Sequence, residues 1–214
     1  MAFCGRLAVV LLCAGVACAQ DIAGFWRSTL ERLRAEPVEA VVKDLREPLP
    51  YKTYEVTYRS LGGVRVQALL AMPIGASGRV PAIVTAPGYG GLQQGIMLAE
   101  CQRGFAILQV YPRTVEGEKL THGIARPEGA YYQFAYADVI RGIDYLASRG
   151  DVDAERIGAA GTSQGGGIVL AVAALDERVK VVAAHVPFLC DFRGAARRPG
   201  SLVKQILDKA GKND

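Results

Sequence analysis

The sequence has 214 residues, of which 50% are hydrophobic and 21% are charged, and this composition is typical of one globular domain. It excludes an intrinsically disordered chain, a collagen-like chain and a coiled coil. The formal net charge of +4 comes from charges of both signs scattered along the chain, so no basic stripe predicts a nucleic-acid partner.

Residues 1–19 are typical of a secretory signal peptide. A basic residue precedes an apolar run, and Ala17 and Ala19 are small residues on either side of Cys18, which predicts cleavage after Ala19. The apolar stretch 7–19 is too short to cross a hydrocarbon core of about 30 Å as a helix, so we expect no membrane span. The expected location is secreted or periplasmic, and lipidation of Cys18 is the less favoured alternative.

Removal of residues 1–19 leaves two cysteines, Cys101 and Cys190, in the mature chain. Two cysteines are too few for a disulfide scaffold. Export would permit a disulfide bond between them, and the favoured alternative is that both are buried thiols. The two histidines, His122 and His185, are not paired at helical spacing, and no close pair of cysteines is present in the mature chain. We therefore expect no metal site.

A helical lead-in at residues 20–50 is predicted to precede a domain at residues 51–214. Apolar side chains at helical spacing, from Trp26 to Leu33, form one stripe in the lead-in. In the domain, apolar and polar residues first alternate on both sides of a Leu-Gly-Gly sequence at 61–63. This pattern predicts an antiparallel hairpin.

Strands and helices alternate through the rest of the domain. The predicted elements are a strand at 80–85, a helix at 92–103, a strand at 105–111, a helix at 132–146, a strand at 156–160, a helix at 168–175 and a strand at 179–186. Strands joined through helices pack as a parallel sheet with helices on both faces. We therefore predict a mostly parallel α/β-hydrolase fold of six strands that lacks the last strands of that fold.

A Gly-Thr-Ser-Gln-Gly sequence at 161–165 fits the G-x-S-x-G pattern of a nucleophile elbow. In that turn the two glycines make room for a strained backbone that lifts the serine hydroxyl above the sheet. The required strand before it and helix after it are both predicted, so Ser163 is the candidate nucleophile. The alternative is a glycine-rich turn that packs closely or cradles phosphate, although the Lys-Ser/Thr of a phosphate loop is absent.

Two backbone amides are the candidate donors to the oxyanion that such a serine forms. In this fold one donor follows the serine and the other lies in the loop after the third strand, which places them at Gln164 and Tyr89. The glycines around Tyr89 would allow a substrate oxygen to approach the backbone. An ordinary turn, with Tyr89 as a packing residue, is the alternative.

Several separated segments resemble the acetyl xylan esterase and cephalosporin C deacetylase family of carbohydrate esterases. They are the Gly88-Tyr89 pair, residues 121–132, the seven residues 161–167, the following helix at 168–175 and the Val-Pro-Phe-Leu-Cys sequence at 186–190. The resemblance covers about residues 51–192. It implies a cofactor-free enzyme that removes acetyl groups from short xylo-oligosaccharides or acetylated small molecules, with Ser163 as the acetylated residue.

Two features depart from that family. After the fourth strand the family has Arg-Gly-Gln, whereas residues 111–117 here read Tyr-Pro-Arg-Thr-Val-Glu-Gly, so we expect a shorter loop without that signature. A hydrolase triad runs in the order serine, acid, histidine, and the resemblance places the acid and the histidine beyond residue 214. His122 and His185 are therefore interpreted as structural residues, His185 in the core or at a strand end, and Asp191 as a helix cap or surface charge.

Three functions stay open at this point. The favoured one is a secreted serine esterase acting on a small-molecule or oligosaccharide acetyl ester. The others are a near-inactive or non-catalytic remnant of such an esterase, and a peptidase or other hydrolase of the same fold. A sheet that stops at the sixth strand leaves an unpaired edge, which a second copy of the chain could cover, so a homo-oligomer is also open.

Overall fold

A mixed sheet with helices on both faces forms the core of the computed structural model, which describes residues 21–90, 97–188 and 191–210. The strands are β1 (Val41–Asp44), β2 (Tyr51–Arg59), β3 (Arg65–Pro73), β4 (Val80–Ala86), β5 (Ala106–Tyr111), β6 (Val152–Thr162) and β7 (Val179–His185). The helices are α1 (Ile22–Ala35), α2 (Leu98–Gln102), α3 (Tyr131–Ser148), α4 (Gln164–Leu175), α5 (Phe192–Arg197) and α6 (Leu202–Ala210). The predicted signal peptide, Cys190 and the first part of the predicted helix 92–103 lie outside the described residues.

The sheet has the α/β-hydrolase arrangement, with strand order β1-β2-β3-β5-β4-β6-β7. β2 and β3 form the predicted antiparallel hairpin, from the pair Tyr51↔Pro73 to the pair Arg59↔Arg65. β4 pairs in parallel with both β5 and β6, and β6 pairs in parallel with β7. The parallel crossovers expected from the alternation are therefore present.

The prediction of six strands was wrong, because the described part of the sheet has seven. The additional strand is β1, which pairs antiparallel with β2 at the edge, from Val41↔Thr57 to Asp44↔Tyr54. All four β1 residues are exposed, so the strand has no buried face to produce an alternating pattern. Two boundaries differ by four residues, since β6 begins at Val152 and α4 begins at Gln164, each four residues earlier than predicted.

Apolar side chains pack on both faces of the sheet. On one face, buried residues of α3 and α4, among them Ile143 and Ile168, pack against strand residues such as Val84. On the other face, Cys101 of α2 packs with Tyr51 and with neighbouring strand residues. Cys101 is a fully buried free thiol, and burial raises its pKa to about 11.

The two edges of the sheet differ from its centre in burial. β7 is the last strand at the edge opposite β1, and Val181 on it is 67% exposed. Beyond β7, helices α5 and α6 pack together, and Val203 and Ile206 of α6 are buried against Leu120. In the part of the chain that the structure describes, no helix is both long and apolar enough to span a bilayer.

Candidate active site

Ser163 lies at a sharp turn between the last residue of β6 and the first residue of α4. Its backbone angles are φ 56° and ψ −120°, in the positive-φ region that residues other than glycine rarely adopt. A strand leads directly into a helix here, so one residue must absorb the change of direction. This is the conformation that the G-x-S-x-G pattern predicted for position 163.

The two glycines of the pattern are needed because backbone atoms approach both of them. A Cβ atom added to Gly165 would lie 2.0 Å from the carbonyl oxygen of Ala86, and one added to Gly161 would lie 2.5 Å from the carbonyl carbon of Gly165. Side-chain carbon atoms are never found at such distances, so only hydrogen fits at either position. The close approach brings the start of α4 against the carboxyl end of β4.

Hydrogen bonds from the segment after β7 hold the strained residue in place. The Ser163 N–H donates to the carbonyl oxygen of His185 over 3.0 Å. The Ser163 carbonyl oxygen accepts from the N–H of Phe188 at 2.8 Å and from the N–H of Gly167 at 3.1 Å. Both backbone polar groups of Ser163 are thus satisfied, while its side chain is half-buried.

Gln164 is the first residue of α4 and only 2% of its surface is exposed. Its side-chain Nε2 donates to the Tyr132 hydroxyl oxygen at 2.9 Å, and burial, opposed by this hydrogen bond, raises the pKa of Tyr132. The backbone N–H groups of the first helical turn have no intrahelical acceptor. The amide of Gln164 therefore remains available to an oxygen atom placed at the start of α4.

The loop after β4 lies beside the same helix start. Pro87 and Gly88 are buried, and together with Gly90 and Gln164 they line a cavity of about 100 Å³. Tyr89 packs its ring edge-to-face on Phe188, with 6.0 Å between the ring centres. The buried Tyr89 hydroxyl finds no hydrogen-bond partner among the described residues.

The structure thus brings Ser163, Gln164 and the loop that carries Tyr89 to one end of the sheet. The carboxyl ends of neighbouring parallel strands meet at that edge, and ligand sites of open α/β sheets lie there. This placement agrees with the spacing argument made from the sequence. The roles of Ser163 as nucleophile and of the two amides as oxyanion donors stay predictions.

The structure places His185 at the end of β7 and His122 in the segment before α3. His185 is exposed at the end of β7, so the strand-end interpretation is confirmed and the core interpretation is wrong. The group of His185 that contacts Ser163 is its backbone carbonyl, and no histidine side chain of the described residues is hydrogen-bonded to the Ser163 hydroxyl. The Nδ1 atom of His122 lies 3.3 Å from the carbonyl oxygen of Glu116.

Asp191 caps helix α5, as one of its two sequence interpretations proposed. Its carboxylate accepts from the N–H of Gly194 at 3.0 Å, and its φ of 45° is in the left-handed region. It carries no hydrogen bond to a histidine among the described residues.

Sequence reasoning missed a buried ion pair in the loop after β5. Asp138 of α3 is fully buried and accepts from Arg113 at 2.6 Å (Nη2), 3.0 Å (Nε) and 2.9 Å (backbone N–H). Ser60 adds a hydrogen bond from its hydroxyl to the same carboxylate at 2.6 Å. An aspartate inside the apolar stripe of a predicted helix was the available signal. Arg113 thus anchors the loop that departs from the family pattern.

Within the described ranges, no group of three or more His, Cys, Asp or Glu side chains is placed so that it could hold a metal ion.

The family profile described as Acetyl xylan esterase (AXE1) matches residues 15–198. Acetyl esterase Axe7A of Xylanibacter ruminicola is 26% identical in an alignment of 198 residues that covers 82% of this chain and 45% of Axe7A. The structure of an acetyl xylan esterase from Paenibacillus sp. R4 has a TM-score of 0.81 and 30% identity, covering 88% of this chain and 66% of that chain.

A second solved structure shows the same fold. Acetyl xylan esterase 1 from Thermoanaerobacterium sp. JW/SL YS485 has a TM-score of 0.80 and 22% identity, covering 89% of this chain and 66% of that chain. The present chain therefore spans 45% of the length of Axe7A and 66% of each of the two solved chains.

Proposed function

The chain belongs to the acetyl xylan esterase (AXE1) family, and from that premise we propose that it is a serine esterase that removes acetyl groups from xylan-type oligosaccharides or similar small acetyl esters. The observation that carries this proposal is the positive-φ serine at the turn from β6 to α4. Such a turn presents a hydroxyl to a substrate above the carboxyl edge of the sheet, which is what acyl transfer to serine requires.

The proposed reaction has two steps. The Ser163 hydroxyl oxygen bonds to the acetyl carbonyl carbon, the bond to the alcohol oxygen breaks, and the serine proton ends on that oxygen as the alcohol leaves. Water then hydrolyses the acetyl-serine to acetate and free serine. Negative charge that develops on the carbonyl oxygen would be stabilised by the amides of Gln164 and Tyr89, each worth about 3 to 4 kcal/mol of barrier. The cavity of about 100 Å³ beside Gln164 suits a short acyl group better than a long acyl chain.

The reaction in this chain is expected to be slow. A serine without a histidine base keeps only oxyanion stabilisation and substrate binding, which leave about a thousandfold acceleration over water. In the described residues the His122 ring contacts the Glu116 carbonyl oxygen and His185 contacts Ser163 through its backbone, so neither imidazole is hydrogen-bonded to the Ser163 hydroxyl. Activated esters, whose leaving groups need no proton, should therefore reveal the reactivity of Ser163 best.

The test combines turnover with active-site labelling. We expect the purified chain to hydrolyse p-nitrophenyl acetate and to gain the mass of one organophosphonate at Ser163, while Ser163→Ala does neither. A folded wild-type protein that gains no adduct would remove Ser163 from the mechanism.

A non-catalytic binding protein is the second candidate, because the described residues provide no histidine bonded to Ser163. It predicts binding of acetylated xylo-oligosaccharide without hydrolysis, with an affinity unchanged in Ser163→Ala. Isothermal titration with both proteins, followed by an assay for released acetate, separates the two candidates.

We also propose that the protein is exported and that residues 1–19 are removed. The basic residue, the apolar run and the small residues before Gln20 support this proposal. Expression of the full sequence in a bacterial host should yield periplasmic or secreted protein whose first residue is Gln20. Recovery of the uncleaved chain from the cytoplasm would contradict it.

A further inference from the structure

Lys119 is the charged residue among those that line the cavity beside Gln164. The other described residues that line the cavity are glycine, proline, aliphatic, hydroxyl and amide residues, and none of them carries a carboxylate. We propose that Lys119 is a specificity-determining residue that favours acetyl esters carrying a carboxylate. This inference rests on the proposed esterase function and adds the class of substrate.

Aromatic rings hold the Lys119 ammonium at the cavity. Its Nζ atom lies 5.8 Å from the ring centre of Tyr89 and 5.9 Å from the ring centre of Tyr131. Both distances are within the range of cation–π attraction, which positions a lysine that would otherwise extend into water. One ring belongs to the loop after β4 and the other to the start of α3, so the charge is placed between the candidate oxyanion loop and α3.

No carboxylate of the described residues is paired with the positive charge of Lys119. Lys119 takes part in none of the ion pairs formed within the described residues. The neighbouring Glu118 carboxylate accepts from the N–H of Leu120 at 3.2 Å and is not ion-paired with Lys119 in the described part of the chain. The other nearby charges, on Arg113 and Asp138, pair with each other at 2.6 Å. The cavity thus retains a positive charge that an anionic substrate can pair with.

A substrate carboxylate would satisfy this charge in a partly enclosed site. Lys119 is half-buried, so a carboxylate that reaches its ammonium is screened less by water than a pair on the open surface. A uronate or another carboxylate-bearing alcohol esterified with acetate has the required chemistry. The same carboxylate as a methyl ester has nearly the same shape and lacks the charge, which makes a matched pair of substrates.

The experiment compares 4-acetoxybenzoate with methyl 4-acetoxybenzoate. For each protein we take the ratio of kcat/KM for the anionic ester to that for the neutral ester, so the intrinsic reactivity of the esters cancels between proteins. We expect this ratio to fall about tenfold in Lys119→Met, to be largely kept in Lys119→Arg and to decrease in the wild type at 0.5 M NaCl. Lys180→Met, which removes a charge from exposed β7, should leave the ratio unchanged.

Other outcomes overturn the inference. If Lys119→Met lowers kcat/KM for both esters equally, Lys119 positions the Tyr89 loop and does not select a substrate charge. If neither ester is hydrolysed by the wild type, the esterase proposal fails, and the inference is then decided by binding alone. In the Ser163→Ala background, 4-acetamidobenzoate should bind more tightly than its methyl ester, and the additional Lys119→Met substitution should abolish the difference. Equal binding of the two amides would contradict a role for Lys119.

Discussion

The N–H of Phe188 donates to the carbonyl oxygen of Ser163 across 2.8 Å, so the segment after β7 holds the backbone of the candidate nucleophile. The Phe188 ring also packs against Tyr89, which lies in the loop after β4. The segments that follow β4, β6 and β7 therefore meet at one point. A substitution in any one of these segments should alter the backbone position of Ser163, because the three segments are in contact through Phe188.

The strain at Ser163 predicts that glycine at this position stabilises the fold. A non-glycine residue in this region of φ and ψ costs about 1 to 3 kcal/mol, and glycine adopts it without a steric penalty. We expect Ser163→Gly to have a free energy of unfolding about 1 kcal/mol higher than Ser163→Ala, because glycine is also more flexible in the unfolded chain and part of the gain is lost. Urea denaturation of both variants measures the difference, and a less stable glycine variant would contradict the strain.

The close contact of Gly165 with Ala86 predicts that adding one methyl group at position 165 strongly lowers the free energy of unfolding. In Gly165→Ala the new Cβ would lie 2.0 Å from the Ala86 carbonyl oxygen, so β4 and α4 would have to separate. We expect a loss of about 3 kcal/mol or more in the free energy of unfolding. Gly150→Ala is the matched control, since its Cβ would meet no atom within 4 Å, and it should change stability by less than about 0.5 kcal/mol. Similar stability of both variants would argue against the close approach.

Removal of the Asp138 carboxylate should destabilise the protein strongly. Asp138→Ala leaves the Arg113 side chain, which is 10% exposed, without its counter-charge, and such a loss costs about 3 to 5 kcal/mol. The exposed pair of Lys204 and Asp208, 2.9 Å apart, is the control, and Asp208→Ala should cost less than about 1 kcal/mol. Chemical denaturation of the two variants under the same conditions gives both values. Equal losses of stability in the two variants would show that burial does not increase the contribution of the Arg113–Asp138 pair.

Burial of Cys101 predicts a thiol that does not react in the folded protein. Burial raises its pKa to about 11, and the native state therefore holds the proton more tightly than the unfolded state. The resulting contribution to stability is complete below the unfolded pKa and is lost as pH rises through about 11. In a chain that lacks residues 1–19 and carries Cys190→Ser, Cys101 is the one cysteine left, and at pH 8 iodoacetamide should leave the native protein unlabelled and label one thiol after unfolding in guanidinium. Rapid labelling of the native protein would place Cys101 at the surface.

The parts of the fold that were predicted correctly are those with a strong local signal. The hairpin around positions 61–63 has alternating apolar residues, and β4, β5 and α3 have continuous or periodic apolar patterns. β1 was missed because its pairing partner is the edge of β2, and the sequence of an exposed four-residue strand carries no trace of that partner. The early start of β6 was missed because the polar and charged residues at its beginning interrupt the apolar run.

Some features of the candidate site could likewise be predicted from local sequence, and others could not. A glycine spacing of two residues on each side of Ser163 is a local pattern, so the strained turn could be predicted from the chain alone. The interpretation of Asp191 as a cap could also be made locally, because a capping residue bonds to an amide three residues away. The environment of Lys119 could not, since its contacts come from two other segments.

Local chemistry thus accounts for the elements with a strong apolar pattern, for the turn at residue 163 and for the family. Tertiary structure decided which distant groups meet there: Phe188 on the Ser163 carbonyl, Tyr132 on the Gln164 side chain, and Arg113 on Asp138. The spacing of residues along the chain determines the hydrophobic period of a helix or strand and the type of a turn, because both depend on residues that are close in sequence. Contacts between residues tens of positions apart depend on how strands are ordered in the sheet, and that order arises only when the apolar faces pack together.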